Sequence, residues 1–538
     1  MAERVPLILG SVFIALLAYK FFRPKKAFGD VPGPVPRSWL FGNMLELQLY
    51  SPYGKHEFEW QKQYGPIYSI KGCIGEDRLM VSDTTALRAI LADTGDFRKS
   101  PQHQLVNKEV FGDGSVLYVH GEQHRRIRAV MNPAFSTAAI RARVHSLQAC
   151  AQHLSEKWEA RLEFQSTAGI FDIFQDIHET TLSGVTDAVM GYDVTNDKEF
   201  TKAYKNLVIT GAKRSKIAIV AHAVLLALPP WAIDVLKLFP PRDFKTLLKH
   251  CNASQRRADI FLKSQIEARK LGIEPENDLF NVMRKMMSRI LILEPHLRHR
   301  QVDSHKASAE VSLQEIKDQF GTITVAGEDT TANSIVWALY QLAKNLDYQK
   351  KIREEFVEAQ ENKRKEGLEF YESLPFLNAL ETLRFYSMVP YSERIAIKDT
   401  VIPVSQPITT RSGQQITQIP VKKGQYVQIA ISSYHRLSSL WGPDAEEFNP
   451  MRWLDGRTKL GDKALGPYAN LLTFLGGPRT CLGWRFAVLE MQIVLCELVR
   501  KFNLALPENS TIETAHAISL VPIHNRGDVE LLLCISCA

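Results

Sequence analysis

The chain has 538 residues, 45% hydrophobic and 23% charged, with a formal net charge of +7. That composition excludes a disordered or fibrous protein, and no Lys/Arg run interleaved with aromatics points to nucleic acid. Seven widely spaced cysteines (Cys73, Cys150, Cys251, Cys481, Cys496, Cys534 and Cys537) make no disulfide framework and fit a reducing compartment. Cys534 and Cys537 form a C-x-x-C pair at the extreme C-terminus, without the second pair or spaced histidine that a zinc site needs.

Residues 1–4 are a short head. From Val5 to Tyr19 the chain is uncharged and mostly apolar, and it continues through Lys20 to Phe22. As a helix, residues 5–22 span about 27 Å, which crosses a bilayer core if Lys20 snorkels. Arg23, Lys25 and Lys26 follow where a signal peptide would show a cleavage site. The segment therefore reads as a single N-terminal transmembrane helix, a retained signal-anchor. Its head is luminal and everything after the basic flank is cytosolic. Sequons at Asn252 and Asn509 would then stay unglycosylated. Residues 23–38 are a basic, Pro-rich hinge in which Val31-Pro32-Gly33-Pro34-Val35-Pro36 blocks helix and gives a stiff strap. Residues 39–538 read as one large domain, mainly α with a small β part.

Strand signals lie at 67–71 and 77–81, and amphipathic helices dominate from about 136 to 385. The proline-broken apolar stretch from Leu225 to Pro241 suits a membrane-touching entrance or a plain core turn. The polar segment from His296 to Ala309 reads as a surface loop. A long helical pattern starting near Ser312 carries Ala326-Gly327-Glu328-Asp329-Thr330-Thr331, whose hydroxyls can bond back to the preceding turn and bend the helix. Glu381 and Arg384 share a helix face at i,i+3. The same spacing recurs at Glu122/Arg125, Glu361/Arg364 and Glu497/Arg500, which read as surface pairs. Only Glu381 is followed by Phe385-Tyr386-Ser387-Met388-Val389-Pro390 and, further on, by Phe448-Asn449-Pro450-Met451-Arg452-Trp453. Residues 395–433 look strand-like, with Gly413 and Gly424 as turns.

The most informative segment is Phe474-Leu475-Gly476-Gly477-Pro478-Arg479-Thr480-Cys481-Leu482-Gly483. It sets Cys481 at the end of a glycine-rich loop, just before an apolar stretch at helical spacing. Backbone N–H groups and the helix dipole there favour a thiolate. Gly477 and Gly483 allow close approach to a flat object, and Arg479 offers a fork for a carboxylate. The plainer alternative is a structural cysteine in a turn.

This loop resembles the haem-binding loop of cytochromes P450, Phe-x-x-Gly-x-Arg-x-Cys-x-Gly, at every defined position. A chance match has odds on the order of 10⁻⁴ at average residue usage. Three further segments resemble the same family. Ala326 to Thr331 is similar to the oxygen-activating stretch of its central helix. Glu381, Arg384 and Arg452 are similar to its structural triad. Gly121-Glu122-Gln123-His124-Arg125-Arg126-Ile127-Arg128, followed by Asn132-Pro133-Ala134-Phe135-Ser136, resembles its C-helix region, with His124 where many members have Trp.

The resemblance implies a cytochrome P450 fold and heme b (iron protoporphyrin IX). Cys481 would be the metal ligand, with Phe474, Gly477, Arg479, Gly483, His124 and Arg128 around the cofactor. Gly327 would make room for a diatomic ligand, Asp329 would gate protons, and Thr330 would pass them toward oxygen. The resemblance is nearest to microsomal members of fungal type, at the endoplasmic reticulum membrane. It implies monooxygenation of an apolar small molecule, a secondary metabolite and by expectation a terpenoid. Electrons would come from NADPH through an NADPH–cytochrome P450 reductase, with cytochrome b5 as a second partner. Arg485, Arg500 and Lys501 are candidate docking contacts. Wall positions by analogy are Val110-Phe111-Gly112, Thr322, Val325-Ala326 and Val389-Pro390-Tyr391. A reductase-free peroxide isomerase or dehydratase and a non-enzymatic membrane haem protein are the alternative readings.

Overall fold

A computed structural model describes residues 27–538 except 50–51, 93–94, 166–167, 191–192, 196, 213–214, 226–239, 241, 271–310, 362–365, 379–380, 457–463 and 526. The expected anchor, most of the proline-broken apolar stretch and the polar loop at 296–309 lie outside the described residues. Among the described residues, no helix is long and apolar enough to cross a membrane.

The longer helices are α1 (Lys55–Tyr64), α2 (Thr84–Leu91), α3 (Pro101–Phe111), α4 (Gly121–Met131), α5 (Val144–Gln165), α6 (Ile173–Met190), α7 (Lys198–Ala212), α8 (Lys216–Leu225), α9 (Arg242–Lys270), α10 (Leu313–Lys344), α11 (Leu346–Glu361) and α12 (Trp484–Lys501). The strands are β1 (Ile67–Lys71), β2 (Asp77–Val81), β3 (Phe97–Lys99), β4 (Ala168–Asp172), β5 (Tyr391–Ala396), β6 (Thr400–Thr409), β7 (Gln415–Val421), β8 (Tyr426–Ala430), β9 (Phe502–Ala505), β10 (Ile512–His516), β11 (Leu520–His524) and β12 (Leu532–Cys537). They form a five-stranded sheet in the order β1-β2-β8-β5-β3, a three-stranded sheet β4-β12-β9, and two two-stranded ribbons. In the large sheet β1 pairs antiparallel with β2, which runs parallel to β8.

Helix α10 is the axis of the helical part. Ser312 caps it: its hydroxyl accepts from Glu315 N–H at 3.1 Å, while the Glu315 carboxylate accepts from Ser312 N–H at 2.8 Å, a reciprocal capping box. Nearly every residue from Glu315 to Ala343 is buried, as expected of a core helix rather than a surface one. α6 lies along it, and α9 and α12 pack on other faces. Trp158, Phe320, Trp337 and Phe502 are among the large side chains fully buried around it.

The hinge is less free-standing than its prolines suggest. Val31 is buried, Ser69 of β1 donates through its N–H to Pro32 O at 2.8 Å, and its hydroxyl donates to Val31 O at 2.7 Å. A proline strap cannot donate at Pro positions, but its carbonyls remain free to dock on a strand.

Candidate active site

The cysteine loop closes on itself. Cys481 N–H donates to Phe474 O at 2.8 Å, and the turn between them needs left-handed backbone at Leu475 (φ 53°) and Gly477 (φ 65°). A side chain on Gly477 would strike the Leu91 carbonyl at the end of α2, so close approach of protein backbone accounts for this glycine. Gly483, one residue before α12, meets only ordinary contact from Phe135. Burial pushes the Cys481 thiol up, while the Gly483 N–H and the Arg128 charge pull it down. The helix-terminus effect expected from the sequence is present, but desolvation outweighs it. Cys481 nevertheless keeps accessible surface.

Around this loop the chain gathers positive charge. Arg479 donates to Val119 O at 2.9 Å and approaches His120 Nδ1 at 3.0 Å. Arg128 of α4 donates to Thr480 O at 3.0 Å, beside the cysteine, and Lys99 of β3 donates to Leu117 O at 2.8 Å. His124 is buried and held down to about 3, first by burial and then by Arg479 and Arg128, so its ring is neutral and presents one N–H donor. His120 is lowered to about 4, again by burial, Arg479 and Lys99. Burial and Arg479 bring Arg394 of β5 down to about 10. The dominant influences on these groups are desolvation and one another's charge. Lys99, His120 and Arg394 had no spacing signal in the sequence, because β3, β5 and the segment before α4 meet only in three dimensions. Arg125 is exposed on the outer face of α4.

On α10, Thr330 Oγ1 donates to Ala326 O at 2.9 Å and Thr331 Oγ1 to Gly327 O at 2.9 Å, the back-bonding that bends helices. Ala326 is exposed and Thr330 partly so, within an otherwise buried helix. Asp329 points the other way, fully buried, and burial followed by the neighbouring Glu328 raises it to about 6. A Cβ on Gly327 would lie 2.6 Å from Val185 Cγ2 of α6. Tight α6–α10 packing by itself thus requires a glycine here, and Ala326 is the small residue with open surface. His178, Glu328 and Asp329 have ligand atoms within 4.8 Å of one another and are the group among the described residues that could hold a metal ion.

Glu381, Arg384 and Arg452 converge, the first two at the i,i+3 spacing and the third as the resemblance implied. Arg384 bonds both Glu381 oxygens, at 2.7 and 3.0 Å, Arg452 Nε lies 2.6 Å from Glu381 Oε2, and all three side chains are 0% exposed. Asp444, missed from the sequence, pairs with Arg452 at 3.0 Å, so two acids balance two bases. His435 connects this cluster to the loop. Its Nε2 accepts from Leu472 N–H at 2.9 Å, so Nδ1 carries the proton and donates to Ser387 Oγ at 2.7 Å. Thr473 Oγ1 donates to Leu383 O at 2.5 Å.

Comparison with known proteins settles the family. The sequence profile described as Cytochrome P450 matches residues 32–527. Cytochrome P450 monooxygenase 205 of Postia placenta is 31% identical over 509 residues, 93% of this chain and 90% of that protein. The monooxygenase claO of Ampulloclitocybe clavipes is 29% identical, covering 88% and 86%. The chain belongs to the cytochrome P450 family. It resembles fungal members and is a P450 monooxygenase. A retinoic acid-bound cyanobacterial CYP120A1 shares the fold, with a TM-score of 0.69 at 21% identity over 95% of this chain and 100% of that one.

A P450 implies haem, and the residues present fit it. Cys481, Ala326 and Thr330 keep accessible surface, and the mutually repelling cations around Arg479 suit the two carboxylates of a porphyrin. Of the candidate wall residues, Ala326 and Val389 carry exposed apolar surface. Thr322 is instead tied to Ser115 at 2.7 Å, and Gly112 backs onto the Asp318 carboxylate. Of the candidate reductase contacts, Arg500 pairs with Glu497 at 2.6 Å and Lys501 with Glu159 and Glu497 at 3.1 and 3.2 Å. Exposed Arg485 lies over the Trp484 ring at 4.1 Å.

Proposed function

We propose that this P450 inserts one oxygen atom from O2 into an apolar, membrane-partitioned secondary metabolite of terpenoid type. Electrons come from NADPH through a reductase docked on the Cys481 side, where Arg485 is the candidate contact. The observation that carries this reading is the acid–alcohol pair on α10: Asp329 buried and raised to about 6, Thr330 partly exposed beside Ala326. A peroxide isomerase needs no proton delivered from an acid, whereas reductive cleavage of O2 consumes two.

When bound, haem supplies oxygen activation through thiolate-ligated iron. The chain's own residues do the rest. Cys481 holds the iron, and Phe474, Gly477 and Gly483 shape its loop. His124, Arg128 and Arg479, with Lys99, His120 and Arg394, orient the propionate edge. Asp329 holds a proton that Thr330 Oγ1 relays. Glu381, Arg384 and Arg452 keep the loop in register.

Residues 5–22 anchor the protein in the endoplasmic reticulum membrane by a single span, with the catalytic domain cytosolic. Exposed Val35, Trp39 and Ile217 support a membrane-facing corner, since Ile219 of the same helix α8 packs with Met44 and Cys73 beside the hinge. Metabolite profiling of cells expressing the full chain with a fungal P450 reductase tests the proposal. An oxygenated apolar product dependent on NADPH is expected, and conversion of a hydroperoxide without NADPH would refute it.

A further inference from the structure

Behind Asp329, on the α6–α7 side of α10, lies a second set of titratable groups that the account above does not use. His178 Nδ1 is 2.6 Å from Glu328 Oε1, and the Tyr204 hydroxyl of α7 donates to Glu328 Oε2. Glu328 is fully buried, His178 and Tyr204 nearly so. Three polar atoms in this spot make no well-formed hydrogen bond, His178 Nε2, Asp329 Oδ2 and Asn333 Oδ1, although the Asn333 side chain interacts with His178 and the Ser519 hydroxyl with Asp329. The Asn333 amide lies beside the His178 ring and donates to Asp329 O and Ser519 Oγ, both at 2.9 Å. Buried polar atoms without a good hydrogen bond mark strain, a catalytic role or a place for water.

We infer that Glu328 and His178, held by Tyr204, form a buried one-proton relay that recharges Asp329. This rests on the proton-delivery role proposed for Asp329 and Thr330. The other groups facing the cluster are Glu490 of α12, Asp172 at the end of β4, and His250 of α9, whose ring lies 5.8 Å from that of Tyr204. None of them is a lysine or arginine. Burial holds both Glu328 and Glu490 well above the carboxylate range and lowers His178, so the short Glu328–His178 contact holds a single proton on a neutral pair.

The transfer balances. The Glu328 O–H breaks as its proton moves to His178 Nδ1. The Nε2 proton leaves for an Asp329 oxygen, directly or through one water. The products are neutral His178, protonated Asp329 and a Glu328 carboxylate, which accepts from Nδ1–H and from the Tyr204 hydroxyl. His178, Glu328 and Tyr204 act through Asp329 and are positioning residues.

Infrared titration of the full-length haem-loaded protein tests this without substrate or reductase. A protonated-carboxyl component that persists to pH 8 and shifts in D2O is expected in the native protein and missing in Glu328→Gln. A second component, missing in Asp329→Asn, should titrate near pH 6 and move upward in His178→Gln, because the variant loses the neutral ring's Nε2–H that the relay aims at the Asp329 carboxylate. A companion measurement supplies NADPH, O2 and a fungal reductase with no added substrate, and follows the share of O2 released as peroxide. Glu328→Gln and His178→Gln should lower the water-forming share on the order of tenfold at unchanged Soret absorbance, less than the hundredfold or more typical of a direct proton donor. Should the polar variants fail to fold, Tyr204→Phe must still shift the Glu328 component.

Native peroxide shares in both variants, an unmoved Asp329 midpoint in His178→Gln, or a stoichiometric divalent metal bound at His178 would each overturn the inference. Asp329→Asn separates the levels. If it leaves the peroxide share native, the proton-delivery reading itself fails. If it raises that share while the Glu328 and His178 variants do not, only the relay fails.

Discussion

Replacing Asp329 by Asn should make the protein more stable, and only at the right pH. Burial first, and Glu328 second, raise this carboxyl from 3.8 to about 6 in the folded chain. A native-state pKa above the unfolded value means that the folded protein binds more protons between those two values, so stability falls as pH rises through that window. Integrating the two titrations gives a penalty of about 0.5 kcal/mol at pH 4, growing to about 3 kcal/mol at pH 8. Asn cannot ionise and escapes it. Urea unfolding of native protein and Asp329→Asn at both pH values measures the difference. The variant should gain about 2.5 kcal/mol more at pH 8 than at pH 4, while releasing more peroxide during turnover. A gain independent of pH, or a loss at pH 8, would show that Asp329 is not held as a strained acid and would remove the physical basis for its proton role.

Other outcomes follow from the same geometry. Glu381→Gln leaves two buried guanidinium groups facing one acid, and should cost about 3–5 kcal/mol in urea unfolding; a loss under about 1 kcal/mol would mean that the cluster is not load-sharing. Arg394→Leu removes one charged donor from the cation set, and haem transfer to an acceptor globin should become roughly 10–100-fold faster, the equivalent of a charge-assisted hydrogen bond; an unchanged rate would detach Arg394 from the cofactor. Thr330→Ala should raise the peroxide share of NADPH electrons on the order of tenfold or more, with product formation falling in step; tight coupling in that variant would count against the relay through its hydroxyl.

What could be read from the sequence was whatever chemistry is written in fixed local spacing. The Cys481 loop, the Ala326–Thr331 turn of α10 and the Glu381/Arg384 pair each lie within one element, so their geometry follows from backbone periodicity. The Ser312 start of α10 and the turns at Gly413 and Gly424 (φ 83° and 81°) were legible for the same reason. Lys99, His120, Arg394, Asp444, His435, His178 and Tyr204 were not. Each is an ordinary residue until folding brings β3 against β5, or α6 and α7 against α10, across separations of tens to hundreds of positions. The short strands β4 and β9–β12 escaped because pairing partners, rather than local alternation, define them. Two glycines have packing reasons that the sequence did not show: Gly327 lets α10 pack against Val185, and Gly477 lets the loop pass Leu91. A sequence shows that a side chain is missing but not what occupies its place.

The account stands on the Cys481 sulfur as the iron ligand. The most direct measurement is the reduced, CO-bound absorption spectrum of purified full-length protein and of Cys481→Ala after haem supplementation. The native protein should show the red-shifted Soret band that gives the family its name, and the variant should lack it. That band surviving in Cys481→Ala, or a folded native sample that takes up no haem, would contradict the assignment.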